Sequence, residues 1–105
     1  MRRTRFKPVP FPDPAKKEIQ ARGGTPVLAR LWRYRGNTVS LLVSDDPSGP
    51  NGEIERHLSI ACSYRGECRR PTDGELYHAT QVLGWDVEEC EFSMNNLVCH
   101  AYRKV

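Results

Sequence analysis

Residues 71–84 read PTDGELYHATQVLG. Thr72 and Glu75 have capping-box spacing, in which each side chain satisfies the other's backbone N–H at a helix start. Leu76, Ala79, Thr80 and Leu83 then recur on one helical stripe, and Gly84 supplies a stop. The stretch predicts one helix with a single apolar face, and such a face needs a sheet to cover it.

The flanking segments provide strands. Residues 54–63 (IERHLSIACS) alternate, with Leu58, Ile60 and Cys62 on one side and His57, Ser59 and Ala61 on the other. Before them, residues 27–34 (VLARLWRY) and 38–44 (TVSLLVS) read as a hairpin around Arg35-Gly36-Asn37. Residues 45–53 (DDPSGPNGE) stack turn formers and predict an exposed loop, and residues 64–70 a polar link. Downstream, residues 87–94 form a weaker strand candidate, and Asn95-Asn96 turns into a last strand over 97–103 (LVCHAYR). There Leu97, Cys99 and Ala101 face inward while Val98, His100 and Tyr102 face outward. The order β-β-β-α-β-β predicts an α+β fold: a two-layer antiparallel sheet with one helix on one face. If the two histidine-bearing strands are neighbours, His57 and His100 share the sheet face turned away from that helix.

Residues 1–24 look different. They hold seven basic and two acidic residues, whereas residues 25–105 hold nine and eleven, so the positive charge sits in the first part of the chain. Pro8, Pro10, Pro12 and Pro14 break any long helix or inner strand, and Gly23-Gly24 closes the segment. It is expected to be a flexible, basic, proline-rich arm, dispensable for folding, with at most a short helical turn from Pro14 to Arg22 capped by Asp13. Residues 25–105 are then one α+β domain, of a size that supports one core. No run approaches the roughly 18 apolar residues of a membrane span, and residues 1–14 carry charge without the apolar stretch of an export signal, so neither is expected. A reduced cytosol and four free thiols (Cys62, Cys68, Cys90, Cys99) are therefore expected.

The string HLSIACSYRGECRRPTDGELYHATQVLG, with LVCHAY near the end, resembles an uncharacterised family of small domains encoded by tailed bacteriophages and prophages. Members show a tryptophan-containing hairpin, a His-Leu-Ser strand, an Arg-Pro-Thr helix start and a closing strand with a histidine. The resemblance spans residues 31–102. It implies a small accessory protein, soluble in the host cytoplasm, with virion association left open, and it transfers no catalytic residue.

Three functional classes follow. A protein-binding module acting on a host or virion protein is expected first, because an arm with Arg2, Arg3, Arg5, Phe6 and Phe11 suits docking on a partner. Trp32, Arg33, His57 and His100 are the matching candidates in the body. The alternative is nucleic-acid contact through the arm and the Arg30, Trp32, Arg33, Tyr34, Arg35 run, where cations and aromatic rings interleave. The third is a two-histidine phosphoesterase built on His57-Leu58-Ser59, for which His57, Ser59 and His100 are the catalytic candidates. Its second motif would be His78-Ala79-Thr80, which falls on the helix, or His100-Ala101-Tyr102, which has tyrosine at the hydroxyl position. Gaps of five and eight residues between cysteines suit zinc poorly, so no metal or other cofactor is expected.

Overall fold

The structure, a computed structural model, describes residues 6–105. The chain runs β1 (Lys7–Pro8), α1 (Asp13–Ala21), β2 (Thr25–Tyr34), β3 (Asn37–Pro47), β4 (Ile54–Tyr64), β5 (Glu67–Arg69) and α2 (Asp73–Leu83). A 3-10 turn (Val87–Glu89), β6 (Glu91–Asn95) and β7 (Val98–Lys104) complete it. The fold is α+β: one antiparallel sheet in the order β1-β2-β3-β4-β7-β6, with β5 paired to the far end of β4.

Local signals account for the hairpins. Tyr34 pairs with Asn37, and Tyr64 with Glu67, so Arg35-Gly36 and Arg65-Gly66 are two-residue turns with both residues at positive φ. Such turns match the right-handed twist of the strands they join. The loop expected from Asp45 is shorter, because β3 continues to Pro47 opposite Ile54. Its two aspartates can lie on a strand because both are paired: Arg56 donates to Asp45 at 2.7 and 2.9 Å, and Arg22 donates to Asp46. The strand expected from residue 87 begins at Glu91, since the carbonyl and side chain of Asp86 accept from Glu89 and Glu88 and hold a turn there.

α2 starts with both halves of the Thr72–Glu75 capping box and ends at Gly84, whose φ of 70° is left-handed. It covers one sheet face. Leu41, Val43, Leu58, Ile60, Cys99 and Ala101 form the core there, with Ala79 and Trp85 above them.

The first segment departs from expectation. Phe6 is 5% exposed and belongs to this core, its ring lying 5.6 Å from Trp32 and 5.2 Å from His78. Residues 6–24 are therefore part of the domain and not an arm. The prolines permit this because β1 is an edge strand, which needs only alternate N–H groups, and because Pro14 sits in the first turn of α1, where no N–H is required. Asp13 is the first residue of α1 and Pro12 its cap. The helix lies on the sheet face opposite α2, with Ile19 buried, so a second helix layer exists where the two-layer expectation had none.

Candidate functional site

In the β4–β7 ladder Ser59 stands opposite His100, and His57 opposite Tyr102. Alternation puts all four on the α1 face. The two imidazoles touch: His57 Nε2 and His100 Nδ1 are 2.7 Å apart, with ring centroids at 4.9 Å. At that separation one nitrogen carries a proton and the other accepts it. Ser59 Oγ lies 3.5 Å from the first and 3.4 Å from the second. The Tyr102 ring stacks on His57 at 4.6 Å.

The other nitrogen of His57 faces Asp46, with Nδ1 3.5 Å from Oδ2. Arg22 donates to the same oxygen from Nε at 3.3 Å and from its terminal nitrogen at 3.1 Å. Asp46 Oδ1 is buried with no hydrogen-bond partner among the described residues. A carboxylate beside Nδ1 holds the proton there, so His57 Nε2 accepts and His100 Nδ1 must donate. The cluster thus runs Arg22, Asp46, His57, His100. It ends on His100 Nε2, which makes no hydrogen bond among the described residues and is not buried.

Burial lowers the pKa of both imidazoles. For His57 the neighbouring His100 lowers it further while Asp46 raises it, and for His100 the Arg22 charge adds to the lowering. Both shifts favour the neutral imidazole. α1 roofs this face into a cleft of about 200 Å³, with Ala15, Glu18 and Ile19 on one wall and Leu42 and Ser44 on the other. The face expected to be open is therefore covered, and His57 is only 8% exposed.

The remaining candidates scatter. Arg2, Arg3 and Arg5 lie outside the described residues. Phe6 is a core residue and no docking anchor, and Phe11 is half-buried. Trp32 is half-buried against Phe6, His78 and Tyr34 on the α2 face, whereas Arg33 projects from the α1 face, so the interleaved run is split between two sides of the sheet. His78 sits on α2 and never meets His57. All four cysteines are free, but Cys68 is exposed, while burial, ahead of the nearby Glu75, pushes the Cys62 thiol up to about 11. Among the described residues no group of three or more histidine, cysteine or carboxylate side chains converges as a metal site.

A second surface carries no candidate from the sequence. β6 ends the sheet, and all five of its residues are exposed. Phe92 and Met94 stand opposite Ala101 and Cys99, hence on the α2 face, where Phe92, Leu76, Tyr77 and Asp73 line a groove of about 200 Å³. Phe92, Met94 and Leu97 are 40%, 40% and 42% exposed, and Tyr77 60%. Residues 71–102 contain six carboxylates and no lysine or arginine. One of the six, Glu75, takes a two-pronged bond from Arg69 at 2.8 and 2.6 Å, which with burial opposing it holds its carboxyl down to about 2. Asp73, Asp86, Glu88, Glu89 and Glu91 stay exposed, and Asp73 lines the groove beside Phe92. Alternation of Phe92 and Met94 was the available signal, but only the fold shows that α2 stops short of covering them.

No protein-family model matches the chain, and neither a curated protein nor a solved structure does.

Proposed function

We propose that this protein is a protein-binding module that takes an extended segment of a partner polypeptide along β6. One observation carries this: the edge of the sheet that no described strand pairs coincides with its exposed apolar strip of Tyr77, Phe92, Met94 and Leu97. An edge strand offers a ladder of free N–H and C=O groups, and side-chain pockets beside it give the choice of partner. Natural edges are usually blunted, and an apolar one that is not marks a contact surface. The five exposed carboxylates within residues 71–102, with Asp73 in the groove itself, favour a segment in which lysine or arginine alternates with apolar residues. The resemblance to phage-encoded domains favours a host or virion protein as its source.

Titration of isotope-labelled protein with a short peptide alternating lysine and valine tests this. Amide signals of β6 should shift and gain exchange protection, the glutamate counterpart should not bind, and added salt should weaken the complex. Phe92→Asp and Met94→Asp should each abolish binding. Equal binding of both peptides, or binding that survives both substitutions, overturns the proposal, as does failure of the lysine peptide to bind.

A further inference from the structure

Tyr-Arg-Gly occurs twice in the chain, at residues 34–36 and 64–66. The fold brings the two copies together on strands β2 to β5, and the site they make does not depend on the function proposed for β6. Each copy closes a two-residue turn, with Arg35 and Arg65 at φ 48° and 49° and the glycines at 82° and 86°. Arg65 donates its backbone N–H to the Gly36 carbonyl at 2.9 Å, so the second turn is docked on the first. A Cβ at Gly36 would lie 3.5 Å from both the Tyr64 ring and the Arg65 side chain. Tyr34 and Tyr64 both stand in register with Asn37, which puts them in one row on the α2 face, two strand spacings or about 10 Å apart.

Both copies carry the same chemistry. The guanidinium of Arg35 lies over the Tyr34 ring at 5.2 Å, and that of Arg65 over the Tyr64 ring at 5.3 Å. Trp32 stacks on Tyr34 with centroids 5.9 Å apart. Both tyrosines are 43% exposed, and both arginines are exposed. Among the described residues neither arginine pairs with a carboxylate. A guanidinium laid on a ring offers its plane for stacking and its N–H edge for a phosphate. Between the two pairs, Asn37 Oδ1 accepts from Arg69 at 2.9 and 3.2 Å, which turns the amide N–H groups away from Arg69. Glu67, opposite Tyr64, is the one carboxylate of the row. On the other sheet face Lys7 and Arg33 border a groove of about 300 Å³, so positive charge continues along β2.

We propose that these paired turns bind single-stranded nucleic acid: bases stack on the Tyr34–Arg35 and Tyr64–Arg65 pairs, the guanidinium edges hold the phosphates, and the Asn37 amide donates to a base edge. Rings and cations in alternation suit a strand whose bases are unstacked, because every base has a face to lay on them. A duplex is disfavoured, since its bases already stack on one another. An acidic peptide is disfavoured as well, because its carboxylates pair with the charge and leave the rings unused.

The test is fluorescence anisotropy of the full chain with a labelled RNA strand of about twelve nucleotides and mixed sequence, the DNA strand of the same sequence, the DNA duplex, and polyglutamate as competitor. Single strands should bind more tightly than the duplex, and polyglutamate should displace them poorly. Tighter binding of the RNA or of the DNA identifies which strand the site serves. Arg35→Asn and Arg65→Asn remove the guanidinium and keep a residue pair that such turns favour, so the urea midpoint should not fall. Each should weaken binding about tenfold and the two together about a hundredfold, with the salt dependence reduced by about one phosphate contact per arginine. Tyr64→Leu should cost a similar factor, which a site acting through charge alone would not show. Phe92→Asp should leave this binding unchanged, which separates it from β6. The proposal is overturned if no single strand binds, if the duplex or polyglutamate binds as tightly, or if the arginine variants and Tyr64→Leu bind like the parent chain.

Discussion

The two helices are held in place in different ways. α2 carries its own instructions, with a reciprocal cap at Thr72 and Glu75, an apolar stripe and a left-handed glycine at its end. α1 has no side-chain cap and no basic residue in its last turn, and it is anchored by what it touches: Ile19 in the sheet, Arg22 on Asp46, and β1 before it tied to β2. Helix formation is costly to start, so a nine-residue helix without caps depends on tertiary contacts, whereas a capped one brings part of its stability with it. The first kind leaves only a weak trace in sequence, here the short helical turn expected over residues 14–22, and the second a strong one.

The largest way to break this comparison is to cut the anchor. Phe6→Ala should cost about 3–5 kcal/mol in urea unfolding, as for other large-to-small changes in a core, and deletion of residues 1–24 at least as much. An unchanged midpoint would return the segment to the status of an arm. Next comes the network at the start of α2, where Arg69 bridges Glu75 and Asn37. Glu75→Gln should cost about 2 kcal/mol, and Thr72→Ala about 1 kcal/mol, with both losses read from the same unfolding curves. Hydrogen exchange should then show α2 loosening while α1 keeps its protection.

The smallest effect is the most selective. The folded pKa values of His57 and His100 lie below the unfolded value of about 6.5, so the unfolded chain binds protons first. Their contribution is fully present above that value and is lost as pH falls through the lower folded values. Glu75, held to about 2, keeps its contribution until pH drops below its ordinary value near 4.5. Amide exchange between pH 6.5 and 4.5 should therefore rise in α1 before it rises in α2. Simultaneous loosening would show that the histidine cluster does not hold α1.

Legibility in the sequence follows the same division. The hairpins, α2 and the inward and outward faces of β4 and β7 rest on short-range periodicity, and so does the meeting of His57 with His100, once the strands are adjacent. Asp46 was hidden inside DDPSGPNGE, whose turn formers outweigh one strand residue, and Arg22 inside a segment dominated by prolines and basic charge. Phe6 was hidden for a further reason: a two-residue edge strand has no period to read, and its partner lies more than twenty residues away.

The two margins of the sheet are chemically unequal. At one margin β1 is two residues long, contains Pro8 and is followed by Pro10 and Pro12, so it offers almost no run of donors to a further strand. At the other, β6 pairs with no further strand among the described residues. Filament growth by strand addition requires every copy to be extendable at both margins, and β1 with its prolines makes one margin a poor acceptor. Strand addition at β6 is therefore favoured over growth from the β1 margin, which lowers the risk that an exposed apolar edge leads to fibres.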